Sequence, residues 1–274
     1  MDKDIRLVSM DLDGTLFQRN GLPSAYTKDV LRRLREHGIL VMINSGRPIF
    51  SVRQRVGEGL YDYVSTRNGQ EIFDEKNHTS WANAVLSEKD VRELFDLCLQ
   101  YPVMFNCFYE DHTVLGCARK YQPAALLVRK AMNHRWKIRR EEQSLLYHRF
   151  EDTGIQGAAK ICVAGLHHTL KKMDQKLDQA RFHGVFVGLQ WYEVMAAGVS
   201  KGKALRQVME KEGLTRQQCI AIGDGENDLD MLAASGYGLA MSNGMDALKK
   251  ASDEVIGSNE EDGAAHWLEE HLLK

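Results

Sequence analysis

Nothing in the 274 residues approaches the run of about eighteen apolar residues that a membrane-spanning helix needs, so no span is expected. Excess basic charge is also missing. Lys plus Arg number 36 against 38 for Asp plus Glu, a net charge of −2, which argues against a generic nucleic-acid binder and against a disordered acidic tail. The five cysteines (Cys98, Cys107, Cys117, Cys162 and Cys219) are odd in number and include no Cys-x-x-Cys, so no disulfide framework is suggested and reduced, mostly buried thiols are expected. The opening Met1-Asp2-Lys3-Asp4 is charged and carries no apolar signal region. Internal repeats and low-complexity tracts are absent. A cytoplasmic protein is expected, free of nucleic acid and membrane. What is present is ordinary globular material, 43% apolar and 27% charged, long enough for about two domains.

Ile5 to Met10 is a short β-prone run that stops at the polar loop Asp11-Leu12-Asp13-Gly14-Thr15. Thr27 can cap a helix carrying Val30, Leu31 and Leu34 and ending near Gly38. Ile39 to Ile43 is a second apolar run, stopping at Asn44-Ser45-Gly46-Arg47-Pro48, with a helix after Pro48. Tyr61 to Ser65 reads as a third strand, and Asn68-Gly69 as a turn before Glu71-Ile72-Phe73. Nearly all-apolar strands alternating with helices indicate a parallel sheet covered on both faces. From Asn83 the rhythm changes. A helix capped by Ser87 precedes a hairpin of Val103 to Phe108 and Thr113 to Ala118. Then come a strand at Ala159 to Ala164, a helix over His168 to Phe182, and a second hairpin of Val185 to Leu189 with Trp191 to Met195. The alternating rhythm returns with a helix at Lys201 to Glu212, a strand at Cys219 to Ile222, and the loop Gly223-Asp224-Gly225-Glu226-Asn227-Asp228. A helix through Met231 to Ala233, a strand at Gly238 to Met241, and helices at Met245 to Ala251 and Glu261 to Leu273 close the chain. The reading is an α/β domain of a doubly wound parallel sheet, residues 1–82 and 197–274, interrupted by an α+β unit at 83–196.

Three strands end in polar loops, and ligands of open α/β sheets bind beyond the carboxyl ends of strands. Asp11 and Asp13 follow a buried strand, where two carboxylates are costly to place without a cation. With Asp224 and Asp228 they form a set of four carboxylates with no nearby His or Cys, which favours Mg²⁺ over zinc. Ser45, with the backbone N–H groups of Ser45 and Gly46, offers donors to phosphate oxygens, and Lys201 a mobile positive charge for the same anion. Taken singly, each of these would be an ordinary turn, cap or surface residue. Their order and their places at strand ends point instead to phosphoryl transfer.

These segments are similar to those of the haloacid dehalogenase-like superfamily, and within it the Cof-type phosphatases. Asp11-Leu12-Asp13-Gly14-Thr15-Leu16 matches its first motif, Asn44-Ser45-Gly46-Arg47-Pro48 its second, Val199 to Leu205 its third, and Gly223 to Asp228 its fourth. Gly238 to Asn243 resembles the following Val-Ala-Met-Gly-Asn segment, with Ser242 replacing the usual glycine, and Asn68-Gly69 and Glu261-Asp262-Gly263 also fit. The resemblance implies a Rossmann-like core with an inserted α/β cap and a phosphatase of small phosphate esters. Asp11 would be the nucleophile that forms an aspartyl-phosphate, and Asp13 the acid and base. Ser45, Gly46, Lys201 and Asn227 would hold the phosphoryl group. Asp11, the Asp13 backbone carbonyl and Asp224 would bind Mg²⁺, and Asp228 would help hold it and orient Lys201. An acid at the Asp13 position marks phosphatases and phosphomutases of the superfamily; its ion-pumping ATPases carry threonine there, and its dehalogenases lack the acid.

The insert would close over the site and select the leaving group, with Phe105, Phe108, Tyr109, His112 and Arg119 as candidate contacts. His134 to Arg140 is basic but runs straight into Glu141-Glu142, a charge-balanced solvated face rather than a nucleic-acid site. Sugar phosphates, nucleotides or a phosphorylated cofactor such as pyridoxal phosphate are the expected substrates, and the chain a monomer or weak homo-oligomer. The alternatives are a phosphotransferase or phosphomutase acting on sugar phosphates, and a non-catalytic metabolite-binding regulator.

Overall fold

The computed structural model describes residues 4–109, 112–127 and 146–274; the side chains of Tyr109 and His112 and the basic stretch from His134 to Arg140 lie outside the described residues. Strand β1 (Leu7–Met10) leads through α1 (Ala25–Glu36) to β2 (Leu40–Asn44), and α2 (Ile49–Val56) leads on to β3 (Tyr63–Thr66), β4 (Glu71–Asp74) and β5 (Thr79–Ala82). A second unit follows with β6 (Leu86–Ser87), α3 (Glu88–Leu99), β7 (Met104–Tyr109), β8 (His112–Cys117), β9 (Leu146–Tyr147), β10 (Gly157–Ala158), β11 (Lys160–Ala164), α4 (His167–Asp174), β12 (Phe182–Val187) and β13 (Trp191–Ala196). The chain then returns with α5 (Lys201–Glu212), β14 (Cys219–Gly223), α6 (Leu229–Ala234), β15 (Tyr237–Met241), α7 (Asp246–Ala251), β16 (Glu254–Ile256) and α8 (Gly263–Leu272). Contacts divide it into two compact units, Met1–Asn83 with Gly198–Lys274, and Ala84–Ala197.

In the split unit eight strands form one sheet in the order β16-β15-β14-β1-β2-β3-β4-β5. The first six of these pair in parallel, and β4 and β5 add an antiparallel edge. Alternation along each strand sends side chains to both faces. Val8, Met10, Val41, Ile43, Ile220 and Ile222 pack with Val30, Leu31 and Leu34 of α1, Val52 and Val56 of α2 and Leu268 of α8. On the opposite face Leu7, Met42, Cys219 and Ala221 pack with Leu205 and Val208 of α5 and Met231 of α6. Helices on both faces make the sheet doubly wound, which accounts for the all-apolar strands.

The insert holds a six-stranded sheet, β12-β13-β11-β7-β8-β9, antiparallel except where β8 meets β9. Ser87 caps α3 as expected, and the structure adds a reciprocal capping box with Asp90. Phe105 was a candidate substrate contact. It is instead fully buried, with its ring edge-on to Phe95 at 4.7 Å between centroids, so it is core of this unit. Phe108 is half-buried beside the Lys160 ammonium, and Arg119 is exposed.

Several boundaries differ from expectation. Ser24, not Thr27, caps α1 by accepting the Thr27 N–H at 2.9 Å, and the Thr27 hydroxyl donates to Asp262 instead. The helix expected over His168 to Phe182 stops at Asp174, and Phe182 opens β12. The edge strands β5 and β16 were not foreseen. All five cysteines are free, four of them buried, and burial pushes the thiols of Cys107, Cys162 and Cys219 up to about 12. Among the described residues no helix is long and apolar enough to cross a membrane. Leu34, wholly buried between α1 and the sheet, should report on this packing. Leu34→Ala is expected to cost about 2–5 kcal/mol, read as a fall in the urea midpoint at unchanged slope.

Candidate active site

Strand order reverses at the β1–β14 boundary, with β2 and β3 built outward on one side and β15 and β16 on the other. Such a switch point opens a crevice at the carboxyl ends of the strands. Met10 is level with Ile43 of β2 and Ile222 of β14, so the loops carrying Asp11, Ser45 and Asp224 leave the sheet side by side. Asp11 continues the ladder by donating its N–H to the Ile222 carbonyl at 3.1 Å. Asn44 anchors β2 to the start of α5 by donating its amide to the Lys201 carbonyl at 2.9 Å. Between the first and last loops there is no room for a side chain. Gly14 has φ +82°, and a β-carbon there would fall 2.2 Å from Asp224 Oδ2. Thr15 donates to Asp224 Oδ1 at 3.2 Å, and Asn243 donates to the Gly14 carbonyl at 2.8 Å.

At the centre is Lys201, 1% exposed, the first residue of a helix capped by Ser200. Its Nζ lies 2.7 Å from Asp11 Oδ1 and 2.6 Å from Asp228 Oδ1. Asp228 is fully buried and doubly used, since its other oxygen accepts the N–H groups of Asp224 and Gly225, each at 3.0 Å. One carboxylate thus fixes both the lysine and the loop that carries Asp224. Burial pulls the Lys201 ammonium down, but the two aspartates outweigh it and hold its pKa above the usual lysine value. Asp11 is pushed up to about 8, chiefly by burial and further by Asp228 and Asp224, with Lys201 opposing. Asp224 is pushed up to about 6 by burial and then by Asp228.

The sequence-derived residues do not all converge in the same way. Asp11, Asp224 and Asp228 each present an oxygen within 4.8 Å of the other two. An all-carboxylate donor set of this size, carrying more negative charge than Lys201 offsets, fits a hard divalent cation. The Asp13 side chain stands apart from that set, with both oxygens held by Arg47. Ser45 is buried and its hydroxyl accepts the Arg47 N–H at 3.3 Å. Its own N–H, expected to face an anion, instead donates to the Ser65 carbonyl at 2.9 Å, so Ser45 has its hydroxyl to offer and Gly46 the backbone donor. Asn227 donates its amide to Asn68 Oδ1 at 3.1 Å. Asn68 is a site residue to which sequence reasoning assigned no role. It is buried at φ +59° between Arg67 at +49° and Gly69 at +99°, and its Asn-Gly step was the one signal that could have marked it.

The raised carboxylates have a consequence for stability. Their native pKa values lie above the unfolded value near 4, so the native state is the tighter proton binder and loses stability as pH rises from about 4 to about 8. A bound cation would relieve that repulsion, and its binding would expel protons. The rise in melting temperature on adding MgCl2 is therefore expected to be larger at pH 8 than at pH 5.5. Calorimetric titration at pH 7 should show proton release, and Asp224→Asn should shrink both effects.

A family model for haloacid dehalogenase-like hydrolases matches residues 8–268. The chain is 28% identical to the 5-amino-6-(5-phospho-D-ribitylamino)uracil phosphatase YcsE of Bacillus subtilis, over 97% of each protein. It is 27% identical to the HMP-PP phosphatase of Serratia proteamaculans, over 97% of this chain and 95% of that one. The crystal structure of SMU.1108c from Streptococcus mutans superposes with a TM-score of 0.81 at 20% identity, covering 98% of this chain and 100% of that one, a likeness of fold. With the match spanning nearly its whole length, the chain belongs to the haloacid dehalogenase-like hydrolase family, among the Cof-type phosphatases.

Proposed function

We propose that this chain is a Mg²⁺-dependent phosphatase of small phosphorylated metabolites that works through an aspartyl-phosphate on Asp11. The observation that carries the reading is the buried Lys201 ammonium, shared between Asp11 and Asp228 within a carboxylate set suited to a divalent cation. Residues 1–82 and 197–274 form the catalytic core in this reading, and 83–196 the cap that selects the leaving group.

Lys201 holds Asp11 by one oxygen and leaves the other for attack on phosphorus. As that bond forms, the ester P–O bond breaks and Asp13 gives a proton to the departing oxygen. Asp13 then takes a proton from water, whose oxygen attacks the phosphorus and releases Asp11. The Ser45 hydroxyl, the Gly46 N–H, the Asn227 amide and Lys201 hold the phosphoryl oxygens, donors fixed in advance by the bonds to Asn68 and Asp228. Asp11, the backbone carbonyl of Asp13 and Asp224 would hold Mg²⁺, supported by Asp228, and the ion would offset the phosphoryl charge that repels a carboxylate nucleophile. The names of the two relatives, a phosphoribitylamino-uracil phosphatase and an HMP-PP phosphatase, support small phosphorylated metabolites as the substrate class.

The test is phosphate release across a panel of sugar phosphates, nucleotides and phosphorylated cofactors, with MgCl2 and with EDTA. Release is expected only with MgCl2. Asp11→Asn should lower it by more than about a thousandfold and Lys201→Met by about a hundredfold or more. Full turnover by Asp11→Asn would remove Asp11 as nucleophile, and faster transfer to added sugars than to water would make the protein a phosphotransferase.

A further inference from the structure

One guanidinium takes both oxygens of the Asp13 carboxylate: Arg47 donates from Nε to Oδ2 and from Nη2 to Oδ1, each at 2.6 Å. Arg47 is itself held from several directions. Its Nη1 donates to the Ser51 hydroxyl at 3.2 Å, and its guanidinium carbon lies 5.3 Å from the centroid of the Phe17 ring. Its backbone N–H donates to Ser45 Oγ and its carbonyl accepts the Arg67 N–H at 3.2 Å. Asp13 has no such support of its own. Its side chain is 55% exposed, against 28% for Arg47, and in the described residues Arg47 is its sole ion-pair partner.

An ion pair this exposed adds little to stability. A two-pronged guanidinium does something else, because it fixes the plane and rotamer of a carboxylate that would otherwise turn freely in water. Each carboxylate oxygen has two lone-pair directions, and the fork uses one on each. The outer directions stay available for the proton that Asp13 gives to the leaving oxygen or takes from a water. A lysine at the same place would supply charge without fixing the plane.

We propose that Arg47 is the positioning residue for Asp13: it holds the carboxylate in the orientation from which it serves the leaving group, and it does not itself hold the phosphoryl group. The proposal rests on the reading of Asp13 as acid and base. Its benefit should then scale with how much help the leaving group needs. A nitrophenolate leaves without a proton, whereas a sugar alkoxide does not.

The experiment compares Arg47→Ala, Arg47→Lys, Asp13→Asn and the Arg47→Ala/Asp13→Asn double variant on 4-nitrophenyl phosphate and on the alkyl phosphate turned over fastest. Arg47→Ala is expected to lower kcat/KM, which covers formation of the aspartyl-phosphate, by about a hundredfold on the alkyl ester and by less than about fivefold on the nitrophenyl ester; kcat, which includes the shared hydrolysis that Asp13 also serves, falls on both. Arg47→Lys should stay within about fivefold of Arg47→Ala on the alkyl ester, since the fork and not the charge is what matters. The double variant should be no worse than Asp13→Asn alone, within about twofold. Melting temperatures within a few degrees of the parent keep folding out of the comparison. Equal losses of kcat/KM on both esters, or losses that multiply in the double variant, would overturn the proposal and make Arg47 a phosphoryl ligand or a structural residue. Asp11→Asn serves as the control for the underlying reading. If it keeps full turnover, the assignment of the whole site falls and Arg47 with it; if it is inactive while the Arg47 losses of kcat/KM are equal, only the Arg47 proposal fails.

Discussion

A lysine buried to 1% exposure between two aspartates is the constraint around which the rest of the molecule is arranged. Taking an ammonium out of water is expensive, and two short ion pairs offset that cost only if their geometry is kept. Keeping it requires three distant stretches of chain to stay in register: the end of β1 for Asp11, the loop after β14 for Asp228, and the first turn of α5 for Lys201. Even with the lysine in place, the site holds more carboxylate charge than it neutralises. The upward push on Asp11 and Asp224 expresses that excess, and it is the electrostatic reason the crevice suits a cation and then a phosphate ester.

The fold supplies the register. Parallel strands buried on both faces end at one level, so their loops meet at one edge of the sheet, and the reversal of strand order between β1 and β14 keeps that edge open. Small local devices then remove the remaining freedom. Gly14 lets the first loop approach Asp224, Asn44 ties β2 to α5, and Asn68 holds the Asn227 amide from a left-handed backbone position. Each of these gives up a conformational or packing advantage to place a polar group, which is typical of functional sites.

Regular elements with a strong local signal were legible in the amino-acid order alone. The helix at Lys201 to Glu212 and the helix cap at Ser87 are local properties of the chain, and both appear where expected. Elements whose existence depends on a neighbour were not. Strands β5 and β16 are three or four residues long at the two sheet edges, and without a partner strand their side-chain pattern means little. The segment after Asp174 has helical periodicity, yet the chain leaves the helix there to start β12. Phe105 looked available for a ligand because an aromatic in a hairpin is equally suited to core or contact, and Phe95 of α3 decides for core.

The sequence by itself determined the residue types of the site, their order, and the division of an α/β unit by an insert, because strand-end loops and buried strands leave marks that are local in the chain. Only the tertiary structure decided which polar groups meet. It gave the Ser45 N–H to Ser65 rather than to an anion, set Asp228 against Lys201, and closed Arg47 on both oxygens of Asp13. The reason is that these bonds depend on separations of a few ångströms between atoms whose residues lie tens of positions apart, and no local pattern encodes that distance.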